Sequence, residues 1–477
     1  MSAISPEQAE AAAKLVTLPR SAVELARAFR AAGFRLALVG GPVRDALLGR
    51  SGNDLDFTTD ARPDDSMRIL KSWTNATWDT GIVYGTVAGK KGEITAEITT
   101  FRKDFYSRDS RKPVVEFGDS LEGDLRRRDF TVNAMALEIG ETGNVFVDPF
   151  GGLRDLVAKK LKTPISAEEL FTEDPLRMMR AARFSAQLGF DVDPEIIEAI
   201  TKLNERLTII SAERIREEFV KTIMSANPRR GLKLLVDTGL SEYFLPELPL
   251  LRLEIDEHHR HKDVYEHSLI VLEQAIDMEE RLGGPNLVIR LAALLHDIGK
   301  PKTRALLEGG GVSFHHHEVV GSKMAKKRLK ELRFDSDTIE QVTTLVALHL
   351  RFHGYGSGEW TDSAVRRYVR DAGDLLTHLH VLTRADCTTR NVRKAQALAA
   401  TYDQLEQRIE QLAQEEELAA IRPDLNGNEI IEILGIKPGP IVGQAYEYLL
   451  ELRMEHGPLG RERAISELIK WSEQRGE

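Results

Sequence analysis

Cysteine is almost missing from this chain: Cys387 is the only one in 477 residues. A disulfide within the chain is therefore excluded, and the composition suits a reducing cytosol, so the expected location is cytoplasmic. Long apolar runs are also lacking. No stretch approaches the roughly 18–20 continuous apolar residues that a membrane helix needs, so no membrane contact is expected. The opening segment, MSAISPEQAEAAAKLV, has no basic region followed by an apolar one, so no secretory signal is expected. Net positive charge is absent too. At a formal charge of -10, contact with nucleic acid must come from local basic patches on an acidic body. Histidine is lacking from the first 257 residues, because all 13 lie between His258 and His456, and 12 of them by His380. That clustering marks the middle of the chain as a distinct module and a metal-site candidate. What is present is 42% apolar and 29% charged residues, the composition of a soluble globular protein with ample core. The length suggests roughly three domains as a starting point.

The first ~150 residues read as mixed α and β. Ser21 to Ala32 has the spacing of a short amphipathic helix. Leu36-Ala37-Leu38-Val39 is a short apolar strand running into Gly40-Gly41, and Leu55-Asp56-Phe57 is a second strand. Ile82 to Ala88 and Ile94 to Phe101 are expected to follow as strands, with Gly and Lys turns between them. From about Ala167 onward the spacing is helical. Tyr402 to Ala420 reads as a charged, solvated connecting helix, and Asn426 to Gly443 as a Gly/Pro-punctuated stretch before one more helix.

Chemistry is concentrated in two places. In the first, Val39-Gly40-Gly41-Pro42-Val43-Arg44-Asp45 precedes Asp54-Leu55-Asp56 by a short helix. Two glycines after a strand let backbone approach a phosphate, the helix N-terminus favours an anion, and Arg44 adds a charged donor. On a strand Asp54 and Asp56 share a face. Two carboxylates beside a phosphate cradle suit Mg²⁺, which takes few carboxylates and keeps phosphate oxygens as ligands. A glycine turn or a solvated acidic loop would explain either half alone but not the pair. Glu97, in the strand Ile94 to Thr100, could complete the metal site or be an edge-strand residue. Further along, Arg126-Arg127-Arg128-Asp129-Phe130-Thr131-Val132-Asn133 reads as three arginines entering an apolar helix. Glu173-Asp174-Pro175-Leu176-Arg177 continues to Arg180 and Arg183, with arginine at every third position. On a helix these form a slowly drifting stripe that includes Asp174. Taken alone, such a stripe is a surface salt-bridge ladder.

Together GGPVRDALLG…DLDF, RRRDFTVNAMA, DPFGG (Asp148 to Gly152), EDPLRMMRAARF and ERIREEF (Glu213 to Phe219) resemble the ordered motif set of class II tRNA nucleotidyltransferases. That family holds the CCA-adding enzymes and bacterial poly(A) polymerases of the polymerase-β superfamily. The likeness runs from about Leu36 to Pro246, and the tail from Leu425 to Pro440 resembles the C-terminal part of CCA-adding enzymes. The resemblance implies that Asp54 and Asp56 bind Mg²⁺, that Gly40, Gly41 and Arg44 hold the triphosphate with Arg128, and that Asp129 and Asn133 belong to the same nucleotide site. It implies that Asp174 and Arg177 read the incoming base, with Arg180 and Arg183 nearby. Chemistry supports this last role. Cytosine and adenine both present an exocyclic amine beside an acceptor ring nitrogen, which suits a carboxylate and a guanidinium. Uracil and guanine do not. Bacterial poly(A) polymerases usually carry a basic G-[RK]-[RK]-F stretch after the Asp-x-Asp pair. Trp78 to Thr86 stands in the equivalent region without a basic pair, which favours CCA addition.

In the second place, His267, His296-Asp297 and Asp386 fall in separate helical segments and resemble the ligand set of HD phosphohydrolases. A His-Asp step ending an apolar helix is costly to bury unless it coordinates or pairs. His317 and His349 could extend the site to a second metal. Nitrogen and oxygen ligands of this kind suit Mn²⁺, Ni²⁺, Co²⁺, Fe²⁺ or Mg²⁺.

The expectation is an α+β protein. It has a polymerase-β-like nucleotidyltransferase head (1–165), an all-helical neck (166–255), an HD metal domain (256–395) and a C-terminal helical region (396–477). The expected partners are the tRNA 3′ end, CTP and ATP. The alternatives are a poly(A) polymerase, or an HD phosphohydrolase whose head only binds RNA. Replacing Asp54 or Asp56 with Ala should cut incorporation of both CMP and AMP by at least about a hundredfold, because metal positioning serves either nucleotide. Folding should survive, and near-normal incorporation by Asp56→Ala would remove the metal assignment.

Overall fold

The computed structural model describes residues 5–79, 81–82, 85–105, 114–118, 120–253, 263–306, 312–352, 360–389, 391–416 and 422–475. They divide into two compact units, Met1–Pro246 and Glu247–Glu477.

The first unit is built on a mixed sheet whose strands are β1 (Leu36–Val39), β2 (Asp54–Thr59), β3 (Ala76–Trp78), β4 (Thr86–Lys91) and β5 (Ile94–Thr100), then β8 (Ala136–Glu138) and β9 (Val145–Val147). Between these groups β6 (Arg102–Phe105) and β7 (Val114–Phe117) form a separate hairpin. The sheet order is β3-β4-β5-β2-β1-β8-β9. β1 sits between β2 and β8, and all four of its residues are buried, so it carries an unbroken apolar run rather than an alternating one. On one face Leu38 and Phe57 are cross-strand partners. On the other, Ala37 and Val39 join Leu121, Leu125, Ala134 and Ala136 in a cluster. β4 and β5 are joined by the two-residue loop Gly92-Glu93, which pairs Lys91 with Ile94, and β5 runs parallel to β2 with Glu97 opposite Asp56.

Two local readings change. The strand expected over Ile82 to Ala88 begins only at Thr86, after a turn, and β3 was not anticipated. The apolar run after Arg128 is not a helix. Thr131–Asn133 is a tight 3-10 turn, and Ala136–Glu138 is β8. A short run buried on both sides has no period to separate helix from strand, and pairing with β1 decides it.

The helical part of this unit centres on the arginine helix Leu176–Leu188, whose sides are buried nearly all round. Helices Ala212–Ile223 and Pro228–Asp237 pack against it. The stripe is therefore no surface ladder: Arg177 and Arg183 are buried. Asp174 also lies outside the arginine helix, just past the helix Ala167–Glu173.

In the second unit, helices Val264–Asp277, Leu287–Leu295, His317–Glu331, Ser336–Leu348 and Leu376–Ala385 bring the histidines together. The helix expected over Tyr402 to Ala420 spans Val392–Glu416, and residues 417–421 lie outside the described residues. It is not simply solvated, because Tyr402, Leu405, Ile409 and Leu412 form a buried stripe at helical spacing. Three helices follow instead of one: Gly427–Leu434, Pro440–His456 and Arg461–Arg475, around Leu425, Ile430, Leu449 and Leu468. The Gly and Pro residues read as loop punctuation mark helix ends, at Gly435 and Pro440.

Gly231 gives this packing a test. A Cβ there would lie 2.6 Å from Thr222 Cγ2 and 2.8 Å from the Ala182 carbonyl oxygen on the arginine helix. Helix propensity favours Ala by about 1 kcal/mol, but overpacking costs roughly 1–3 kcal/mol. Gly231→Ala should therefore destabilise the protein by up to about 2 kcal/mol in denaturant unfolding. A gain in stability would show that the helices do not cross this closely.

Candidate functional site

In the head, alternation on β2 and the pairing with β5 place Asp54, Asp56 and Glu97 on one face, each open to solvent. The protein mass around Asp56 raises its pKa. Arg128 opposes that shift, and Glu97 and Asp54 add to it. Three carboxylates on one face, one of them disfavoured as an anion first by the surrounding protein and then by its like-charged neighbours, fit a divalent cation. At the end of β1 the chain turns at Gly40 (φ +74°), where a Cβ would lie 2.8 Å from Arg128 Nη1. Only glycine lets this guanidinium settle against the backbone beside the carboxylates.

Next to this face lies a buried polar network. Arg44 Nη1 donates to Asn133 Oδ1 (2.6 Å), Asn133 Nδ2 donates to Asp129 Oδ1 (2.9 Å), and Arg180 Nε donates to Asp129 Oδ2 (2.7 Å). Arg183 Nε lies 3.1 Å from Glu218 Oε2, and Arg180 lies 3.9 Å from the same carboxylate. Burial alone would raise the pKa of Asp129. The charge of Arg180 and the hydrogen bonds from Asn133 and Arg180 hold it at about 2 instead. Burial, with Arg180 adjacent, pushes Arg183 down to about 10, so it remains charged near neutrality. All three guanidinium carbons lie over the Phe184 ring, at 5.2 Å (Arg44), 5.3 Å (Arg180) and 4.3 Å (Arg183) from its centroid. Phe184 is fixed edge-to-face against buried Phe130 at 5.7 Å. Arg44 is also held by Asp45 (Nε to Oδ1 2.9 Å, Nη2 to Oδ2 3.0 Å), so three guanidinium groups face three carboxylates and their charges balance.

Asp174 and Arg177 both stand at the start of the arginine helix but are engaged separately. Arg177 Nη1 donates to Leu170 O and Glu173 Oε2, both at 3.0 Å, and Nη2 donates to Arg127 O at 2.7 Å. Asp174 Oδ1 accepts from Leu176 N, and Oδ2 lies 3.5 Å from Arg214. Asp148, in the DPFGG segment, accepts from Gly152 N and Leu153 N and so caps the helix Gly152–Val157.

The second constellation assembles within the second unit. His267 Nε2 lies 2.9 Å from Asp386 Oδ1 and 3.3 Å from His296 Nε2. His296 Nε2 lies 3.1 Å from Asp297 Oδ2, and His317 Nε2 lies 3.2 Å from Asp297 Oδ1. His349 Nε2 is 4.0 Å from that same oxygen. Two groups therefore share Asp297: His267 with His296, and His317 with His349, each with its ligand atoms within 4.8 Å of one another. Three of the imidazoles are aimed in the same way. Nδ1 of His296, His317 and His349 bonds the carbonyl three residues back (Ala293, Phe314, Val346), and Nδ1 of His267 meets Thr388. Each Nε2 is left facing the centre, as outer contacts do for metal-binding histidines. Nε2 of His317 and of His349 is buried without a hydrogen bond. Burial would lower His296, yet Asp297 beside it raises it to about 9, while burial and the charge of His296 push His349 down to about 3. Asp297 and Asp386, with the Nε2 atoms of four histidines turned toward them, are a nitrogen and oxygen donor set that fits a divalent cation. Gly299 admits the helix His317–Glu331, since a Cβ there would lie 2.2 Å from His317 O.

Several participants escaped the sequence reading. Phe184 stands next to Arg183, but nothing in the order marks it as the ring under three arginines. Glu218 lies inside ERIREEF without a visible role. Lys300 follows the His-Asp step in sequence and donates to Asp297 Oδ2 at 2.8 Å.

Three family profiles match the chain: Poly A polymerase head domain over residues 36–162, Probable RNA and SrmB-binding site of polymerase A over 189–251, and HD domain over 264–391. The A-adding tRNA nucleotidyltransferase of Deinococcus radiodurans is 32% identical over 448 residues, covering 92% of this chain and 96% of that protein. The CCA-adding enzyme of Streptococcus pyogenes is 33% identical over 456 residues, covering 94% and 96%. The crystal structure of the Bacillus stearothermophilus CCA-adding enzyme in complex with CTP superposes with a TM-score of 0.70 at 25% identity, covering 96% of this chain and 99% of that one. Among the described residues no helix is long and apolar enough to cross a membrane.

The depressed pKa of Asp129 sets a pH signature. Its folded value of about 2 lies below the ordinary 3.8, so the pairing contributes stability fully above about pH 4 and loses it as the pH falls through 2. Asp129→Asn should be less stable than wild type by about 2 kcal/mol near neutrality, with the gap closing between about pH 4 and 2 in urea titrations. A gap constant with pH would mean that the ion pair is not its source.

Proposed function

Because the chain belongs to the tRNA nucleotidyltransferase family that includes CCA-adding and A-adding enzymes, we propose that it adds C and A residues from CTP and ATP to the tRNA 3′ end without a nucleic-acid template. The observation that carries this reading is the carboxylate face of β2 and β5 within the same compact unit as three guanidinium groups gathered over Phe184. The terminal RNA hydroxyl attacks the α-phosphorus of the nucleotide, and pyrophosphate leaves. Gly40, Gly41 and Arg44 receive the triphosphate, and Arg128 lies between it and Asp56. Asp54 and Asp56, with Glu97 alongside, are the residues that would hold Mg²⁺, which when bound offsets phosphate charge and acidifies the attacking hydroxyl. Asp129 and Asn133 keep Arg44 and Arg180 apart and oriented. Asp174 accepts from the exocyclic amine of C or A, and Arg177 donates to the neighbouring ring nitrogen, the base competing with Glu173 for Nη1. The work divides among a head (1–165), a neck (166–255), the HD domain (256–395) and a helical body and tail (396–477). The reaction runs in the cytoplasm, where a lone cysteine stays reduced.

The HD domain is proposed to hydrolyse phosphate esters, such as the 2′,3′-cyclic or terminal phosphates of RNA. His267, His296, Asp297 and Asp386, extended by His317 and His349, would hold a divalent transition metal or Mg²⁺, which supplies an activated water.

One assay tests the main reading: tRNAs ending before CCA, or after CC, incubated with each labelled nucleotide. The expected products are C, C and A on the first and A on the second, with U and G refused. Addition of A alone to the CC end would make the enzyme A-adding, and long A tracts would make it a poly(A) polymerase. Arg177→Ala should raise the nucleotide KM and relax exclusion of UTP and GTP by roughly 10- to 150-fold, the range for a lost charged hydrogen bond. An unchanged ratio with unchanged KM would sink the base-reading role. Asp297→Ala should abolish metal-dependent phosphohydrolysis and leave nucleotide addition intact, whereas equal loss of both would show that the sites are not separable.

A further inference from the structure

A polar cavity of about 320 Å³ opens between helices Asp362–Ala372 and Val392–Glu416, and none of its lining residues belongs to either constellation described above. That volume is at the small end of ligand pockets, which run roughly 300–1,000 Å³. We propose that it receives one unpaired nucleobase of the RNA substrate, stacked against Trp360 and read by the side-chain amides of Gln404, Gln407 and Gln411. The inference rests on the tRNA-end addition proposed above.

Three observations carry it. The first is the aromatic wall. Trp360 lines the cavity and is half-buried, its ring edge-to-face with Tyr368 at 5.7 Å and 65°. Tyr368 is itself buried and stacked on His380 at 5.8 Å and 10°. The indole is thus backed by a fixed aromatic stack, which makes it a pre-formed platform. Every base has a π-face to place on such a platform.

The second is the opposite wall. Gln404, Gln407, Gln411 and Gln414 recur at i, i+3, i+7 and i+10 along one exposed helix face, in a segment otherwise rich in Glu and Arg. The first three of them line the cavity. Solvation alone would be served by charged residues. A row of amides presents both donors and acceptors, as base edges do.

The third is the charge balance. The cation lining the cavity, Arg408, is held by both oxygens of Asp362 (Nε 2.9 Å, Nη2 2.6 Å), and its Nη1 donates to Gln411 at 3.3 Å. A phosphate would find this charge already neutralised, and a charged peptide would leave its own charge unmatched. A flat neutral heterocycle with mixed donors and acceptors fits the walls, and buried Val365 adds an apolar contact.

The test uses the full-length protein and tRNA lacking its 3′ end. Trp360→Ala should raise the KM for tRNA by roughly 5- to 150-fold, the range for losing one base–aromatic stack, with little change in kcat or in the KM for CTP. Trp360→Phe should recover most of the loss, and Gln407→Ala, at an exposed position, should give a smaller rise. The salt dependence of tRNA binding should keep its slope, because a neutral pocket releases no counterions. An unchanged tRNA KM in Trp360→Ala and Gln407→Ala would overturn the proposal, and so would a shallower salt slope, which marks a phosphate site. Should Trp360→Ala fail to fold, the Gln407→Ala/Gln411→Ala double variant decides on the same readouts. Wild-type protein that adds no nucleotide would strike the proposed reaction instead, and filter binding of tRNA by the same variants would then judge the pocket alone.

Discussion

Three guanidinium groups around one phenyl ring repel one another, and the first unit is organised to hold them there. Arg44 comes from the turn after β1, and Arg180 and Arg183 come from the arginine helix. Asp129 takes Arg180, Asn133 links Asp129 to Arg44, Asp45 pairs with Arg44, and Glu218 reaches Arg183 from a neighbouring helix. All of these except the half-buried Arg180 and Asp45 are buried, so each broken link would leave a charge or amide without water or partner. The sheet, the turn at Phe130 and the helices of the neck are fixed to each other through this network. Phe184 supplies the low-polarity surface on which the cations gather, with Phe130 behind it.

The second constellation solves a different problem with the same economy. Buried histidines must be aimed as well as placed. His296 and His349 sit at the C-terminal ends of helices, where the last carbonyls have no partner within the helix, and their Nδ1 atoms bond those carbonyls. The ring is locked by the backbone that carries it, and Nε2 turns inward. Asp297 then serves two pairs of histidines, one oxygen toward each. Its neighbours titrate in opposite directions: burial would lower both, but the charge of Asp297 at 3.1 Å outweighs it at His296, whereas His349, 4.0 Å away, is lowered by burial and by the charge of His296.

Much of this could be read from the order of residues. The strand Leu36–Val39, the glycine turn, the Asp-x-Asp strand and Glu97 are local features with local causes: apolar runs, period-two alternation and turn chemistry. The separate helices bearing His267, His296 and Asp386 were legible for similar reasons. The segment after Arg128 was not, because a run buried on both faces has no period. The packing of helix Val392–Glu416 is not legible either, because its buried stripe is narrow and charge surrounds it in sequence.

The sequence by itself determined which chemistry this protein carries: the carboxylates, arginines and histidines, their types, and the elements that bear them. Only the tertiary structure decided how those groups are paired. It set Asp56 against Glu97 through the β2–β5 register, placed Phe184 beneath three arginines, gave Glu218 to Arg183, and gave the side chains of Asp174 and Arg177 different partners. The physical reason is that local spacing fixes the direction of a side chain, whereas its partner is chosen by long-range strand pairing and helix crossing, which short-range pattern does not encode.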